Sequence, residues 1–155
     1  MSAVILPGSY DPITLGHMEI VKKAAQAYDE VYLVAFINPQ KSYTFSLEER
    51  VKMMMLAADG FDNVLVSYST GLVIDYMRDH GIEKIIKGYR NDADFEYEKK
   101  QAEWNLTHGG YETELIKCDS GFEHISSTAA REKIKAGEDL SNILPASVIG
   151  YIKTL

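Results

Sequence analysis

Short apolar runs of strand length alternate with longer segments of helical period along the whole chain. Residues 3–6, 31–36, 63–68, 84–86 and 113–118 are brief and continuously apolar enough to be strands covered on both faces. Between the first two, Met18, Val21, Ala25 and Tyr28 recur at the spacing of one helix face and predict a helix over 15–28. Ser46, with Glu49 three positions later, forms a capping box that opens a second helix over 46–58. A third is predicted over 71–79, stopping before Gly81, and a fourth over 92–107, stopping before Gly109 and Gly110. A fifth runs from Ser127 to Gly137, and Pro145, suited to a first helical turn, opens a short last one. No repeat, low-complexity tract or linker interrupts this order, so the expectation is one domain over residues 1–155. Strands separated by helices imply right-handed crossovers and an α/β fold with a doubly wound, five-stranded parallel sheet.

In such a sheet ligands bind beyond the carboxyl ends of the strands, where the winding reverses. After the first strand, Gly8, Ser9, Tyr10, Gly16 and His17 lead into a helix start. The unpaired N–H groups of a first helical turn attract an anion, and glycine lets a large ligand approach the backbone. The segment is neither a Walker loop nor the three-glycine dinucleotide fingerprint. His17 faces the positive end of the helix dipole, which disfavours imidazolium and suits a neutral N–H donor. After the second strand, Lys41 is the only cation of its loop. After the fourth, Lys87, Gly88, Tyr89 and Arg90 put two cations around a glycine, beside the first strand if the winding reverses there. Arg90 could equally pair with Asp92 or Asp94, and Asp94 with Glu98, one turn apart, could form a carboxylate site; a solvated helix face with one ligand contact is the simpler reading. After the fifth, Ser126, Ser127 and Thr128 can cap a helix or bind a phosphate. Each junction alone has a structural explanation, but three with anion-binding chemistry are improbable as unrelated turns.

Composition limits which anions these are. The 155 residues carry 16 Lys+Arg against 23 Asp+Glu, a formal charge of -7, which argues against nucleic acid or an anionic membrane surface as partner. The longest apolar run, 31–37, is strand length, far below the roughly 20 residues that span a bilayer. Cys118 is the only cysteine, and the first residues lack the basic flank and apolar core of a signal peptide; a cytoplasmic location is expected. Met53, Met54 and Met55 read as core filler, and Cys118, His80 and His108 show no metal-ligand spacing.

The set Thr14-Leu15-Gly16-His17 and Ile125-Ser126-Ser127-Thr128 resembles the (His/Thr)-x-Gly-His nucleotidylyltransferase superfamily, with its Rossmann-like fold. The run from Pro7 to Thr14, Lys41, Gly88-Tyr89-Arg90 and Asp94-Phe95-Glu96-Tyr97-Glu98 is similar to the phosphopantetheine adenylyltransferase family over nearly the whole chain. That resemblance implies adenylyl transfer from ATP to 4'-phosphopantetheine with Mg2+, giving dephospho-coenzyme A and pyrophosphate, in a homohexamer open to inhibition by coenzyme A. It implies that His17 stabilises the transition state and that Lys41 and Arg90 neutralise the reacting phosphates. ATP would meet Ser9, Tyr10, His17, Gly88, Tyr89, Arg90, Glu98 and the segment Phe122, Glu123, His124, Ile125, Ser126, Ser127, Thr128. The second substrate would meet Ser9, Lys41, Leu72, Val73, Lys87, Trp104 and Asn105. Ser9, Tyr10, Thr128, Lys87 and Val73 depart mildly from the family pattern; Lys87 keeps the charge but loses a planar grip. Two other readings stand beside this one: a cytidylyltransferase or nicotinate mononucleotide adenylyltransferase, and a nucleotide-binding module without catalysis.

Overall fold

A computed structural model of the chain describes residues 2–155. Five strands, β1 (Ala3–Gly8), β2 (Glu30–Phe36), β3 (Val64–Ser69), β4 (Lys84–Tyr89) and β5 (Glu112–Lys117), form one sheet in the order β3-β2-β1-β4-β5, with every pairing parallel. The helices are α1 (Leu15–Ala27), α2 (Leu47–Ala58), α3 (Val73–His80), α4 (Asp92–Gly109), α5 (Ser127–Ala136) and α6 (Ala146–Ile152). No described helix is long and apolar enough to cross a membrane.

Alternation along the central strands assigns the two layers. Val4 and Leu6 of β1, Val31, Leu33 and Ala35 of β2, and Ile86 of β4 point into a core shared with α1, α2, α5 and α6. Their neighbours Ile5, Val34 and Ile85 point the other way, onto Tyr76 and Met77 of α3. These strands therefore need apolar residues at consecutive positions, as a sheet covered on both faces requires. Of the three methionines in α2, Met53 and Met54 fill the core, whereas Met55 is exposed.

The winding reverses between β1 and β4. Their pairing covers only two register positions, Val4 with Lys84 and Ile5 with Ile85, although β1 runs three residues further and β4 four. β4 also continues through Lys87, Gly88 and Tyr89, so these are strand residues rather than the loop that the apolar run over 84–86 predicts. Gly88 is small because α1 crosses here: a Cβ on it would lie 2.8 Å from Ile20 Cγ1 and 3.1 Å from Ile20 Cδ1. Gly88→Ala should cost about 1–3 kcal/mol of unfolding free energy by overpacking. Denaturant melts should show this loss, and show it reduced in an Ile20→Ala background; equal losses in both backgrounds would assign the cost elsewhere.

Candidate active site

The carboxyl ends of β1 and β4 enclose a cavity of about 510 Å³, lined among others by Pro7, Gly8, Ser9, His17, Lys41, Lys87, Gly88 and Arg90. A second cavity of about 300 Å³ adjoins it, and Ser9, Lys87, Tyr97 and Glu98 line both.

His17 is set by the start of α1. Thr14 is the N-cap, its Oγ1 accepting from the His17 N–H at 3.3 Å, while His17 Nδ1 accepts from the Thr14 N–H at 3.0 Å. This is a capping box with histidine where glutamate or glutamine is usual. Because Nδ1 accepts, the proton of a neutral ring sits on Nε2, the free edge of the imidazole. Burial, then Lys87 and Arg90, lowers the His17 pKa to about 4, so the ring is neutral at physiological pH. Tyr10 packs edge-on against it, ring centroids 4.9 Å apart, and donates its hydroxyl to the Leu6 carbonyl at 2.9 Å. Burial, then Glu98, pushes the Tyr10 phenol up, so it stays protonated.

Two of the site's cations, Arg90 and Lys87, are held by carboxylates. Arg90 pairs with Asp94, Nε to Oδ2 at 2.8 Å and Nη2 to Oδ1 at 3.3 Å, and the Arg90 N–H also donates to Oδ2. Lys87 Nζ lies 3.5 Å from Glu98 Oε1 and donates to the Pro7 carbonyl at 3.3 Å, bridging the gap where the strands part. Burial raises the Glu98 pKa, against the lowering by Lys87. Lys41 reaches in from the β2–α2 loop and donates to Ser9 Oγ at 3.2 Å. Asp94 and Glu98 thus engage different cations, and among the described residues no group of three or more His, Cys, Asp or Glu side chains could hold a metal ion.

The hydroxyls opening α5 are divided among structural contacts. Ser126 caps the helix, Ser127 donates to the Pro12 carbonyl at 2.8 Å, and Thr128 Oγ1 accepts from Arg131 Nη2 at 3.1 Å. What remains for a ligand is the backbone: Ser127 and Thr128 precede the first intrahelical bonds, and both line the larger cavity. Gly16 lies under this loop, where a Cβ would be 3.3 Å from Ile125 Cγ2 and 3.4 Å from the Ile125 carbonyl oxygen.

Of the residues expected at the site, Ser9, Tyr10, His17, Lys41, Gly88, Tyr89, Arg90, Glu98, Phe122, Ile125, Ser126, Ser127 and Thr128 line the larger cavity, and Val73, Lys87 and Asn105 line the smaller. Glu123, His124, Leu72 and Trp104 line neither. Glu123 binds the Gly121 N–H, Leu72 is the exposed residue before α3, and Trp104 stacks on His108. Asp11, Arg50 and Arg131 have roles that no local motif announces. Arg131 stands one turn beyond Ser127 and Thr128 and donates to the Asp11 carbonyl at 2.9 Å. Arg50 carried a readable signal, a charge on the stripe of α2 that holds Met53 and Met54.

Comparison with known proteins agrees with this arrangement. Residues 5–133 match the cytidylyltransferase-like family model. A phosphopantetheine adenylyltransferase of Corynebacterium diphtheriae is 39% identical over 153 residues, covering 98% of this chain and 96% of that protein. A solved structure from Vibrio parahaemolyticus assigned to nicotinate-nucleotide adenylyltransferase superposes with a TM-score of 0.70 at 19% identity, covering 99% of this chain and 93% of the other, a likeness of fold. With the extent of both sequence matches and the Thr14-to-His17 geometry at the strand parting, the chain belongs to the cytidylyltransferase-like family and, within it, to the phosphopantetheine adenylyltransferases.

Proposed function

We propose that the chain transfers the adenylyl group of ATP to 4'-phosphopantetheine, forming dephospho-coenzyme A and pyrophosphate, the penultimate step of coenzyme A biosynthesis. The observation that carries this is the meeting of two cavities, about 510 and 300 Å³, at Ser9, Lys87 and Glu98. A transfer between two anionic substrates needs such a junction, with the donor in one cavity and the acceptor in the other.

An oxygen of the phosphopantetheine phosphate attacks the α-phosphorus of ATP in line. A new phosphorus–oxygen bond forms, the α–β bridge breaks, and pyrophosphate leaves with the bonding electrons. The attacking monoester is largely dianionic at neutral pH, its second pKa being about 6, so no general base and no covalent enzyme intermediate are required. His17 would donate Nε2–H to the α-phosphate as charge builds, which its fixed tautomer and neutral state allow. Lys41 and Arg90 would neutralise reacting phosphates, with Lys87 on the acceptor. The β- and γ-phosphates would meet the backbone N–H groups opening α5. The pantetheine arm would follow Val73 and Asn105. Magnesium would come with the triphosphate, and bound there it would spread the charge of the leaving pyrophosphate. A free thiol at Cys118 suits a reducing cytoplasm. Met55 on α2, Leu65 and Tyr68 on the edge strand β3, and Leu72 before α3 expose apolar surface that a homohexamer would cover; inhibition by coenzyme A belongs to the same proposal.

Pyrophosphate release measured with ATP or CTP against phosphopantetheine, glycerol phosphate and nicotinate mononucleotide should be seen with ATP plus phosphopantetheine. Turnover with another pair only would replace the reading, and ATP binding without any turnover would favour a binding module. His17→Ala should lower kcat by about 10²–10³-fold while ATP affinity, read by calorimetry, is largely retained. His17→Gln, which can keep the capping contact, separates loss of the donor from loss of the helix cap. His17 gains its proton only near pH 4, so the acid limb of kcat/KM for phosphopantetheine should follow the substrate's second ionisation, at pH ~6. His17→Gln should lower the plateau and leave that limb in place; a limb that vanished with the imidazole would make His17 a base.

A further inference from the structure

We propose that Arg50 and Asp11 are positioning residues that set the reach of Lys41, an inference that rests on the adenylyl transfer proposed above. Arg50 is only 2% exposed, and among the described residues no carboxylate lies within ion-pair distance of it. Its hydrogen bonds go to backbone instead: Nε donates to the Phe45 carbonyl at 3.2 Å and Nη1 to the Ser9 carbonyl at 2.9 Å. The guanidinium lies 3.9 Å from the centroid of the Tyr43 ring. Asp11, 4% exposed, holds the same stretch, accepting from the Thr44 N–H at 2.8 Å and the Phe45 N–H at 2.9 Å. The Phe45 residue therefore gives its carbonyl to a buried cation and its N–H to a buried anion.

This clamp joins two loops that meet at the reacting phosphates. Arg50 touches Ser9 on one side and the Lys41 loop on the other, and Lys41 closes the circuit by donating to Ser9 Oγ. Nearer the tip, the loop is tied to itself alone, by the Asn38 N–H to Tyr43 Oη, the Gln40 N–H to Asn38 Oδ1 and the Lys41 N–H to the Asn38 carbonyl, besides the Lys41 contact with Ser9. Buried charges are a poor means to stability, because apolar residues of similar volume often serve as well or better. Arg50 occupies the stripe of Met53 and Met54, where packing alone calls for an apolar side chain. Two such charges spent on the backbone of Ser9 and Phe45 are accounted for if the spacing of Ser9 and Lys41 is what they maintain.

The test is a mutant cycle with pyrophosphate release as the readout. Arg50→Lys keeps the charge and loses the planar fork; kcat should fall, by up to about 10²-fold as expected of misplacement near 1 Å, with KM for ATP nearly unchanged. In a Lys41→Ala background the same substitution should produce little further loss, because its effect passes through Lys41. Equal fold-losses in both backgrounds would make Arg50 a staple of the fold and overturn the proposal. Should Arg50→Lys not fold, Tyr43→Leu removes the ring beneath the guanidinium and should show a smaller loss with the same dependence on Lys41. Amide exchange separates this idea from the reading it rests on. If the unmutated chain releases no pyrophosphate, the assigned reaction fails, while faster exchange over residues 38–45 in Arg50→Lys, with the sheet unchanged, would still show the clamp; unchanged exchange would refute it.

Discussion

Parallel strands share a hydrogen-bond ladder only while they run about 4.8 Å apart, and β1 and β4 keep that spacing for two register positions before they diverge. Nearly everything at the site follows from this parting. It leaves room for the start of α1 to aim its N-cap and His17 into the sheet, and it leaves the Pro7 carbonyl for Lys87 to bridge. Gly88 tolerates the approach of Ile20 that brings α1 so close to β4. The neighbouring pair β1 and β2 stays in register along all of β1, so the opening is confined to one side of the strand.

The electrostatics of the opening are more guarded than its list of cations suggests. Lys87 and Arg90 each carry a carboxylate partner, and both help to hold His17 neutral. The field available to a phosphate is then a matter of exchange, a substrate anion sharing or taking over contacts that Glu98 and Asp94 already make. This is how a chain with a formal charge of -7 can take phosphorylated small molecules without an extended basic surface.

What could be read from the sequence was what is written locally. The order of strands and helices, the capping box at Ser46 and the glycine ends of α3 and α5 depend on neighbours a few residues apart, and each appears in the fold. The Thr14-to-His17 motif was legible as a helix start, though not that the imidazole itself completes the cap. The extent of β4 was hidden because Lys87 and Gly88 break the apolar run that marks a buried strand. Asp11 and Arg50 act across 34 and 41 residues of chain, and no spacing rule reaches that far. Trp104 was expected near the second substrate through the family resemblance alone, and in the fold it stacks on His108 and lines neither cavity.

The loop between β1 and α1 is finished by residues far along the chain. Ser127 and Arg131 hold the carbonyls of Pro12 and Asp11, and the Ile143 carbonyl accepts the Leu15 N–H at 2.9 Å. On a ribosome, where the N-terminal part emerges first, the loop between β1 and α1 waits for residues more than 110 positions further along before its backbone groups find these partners. A segment made well before its partners is thus late to reach its working conformation, and a nascent chain halted before α5 would carry the motif without the contacts that hold it.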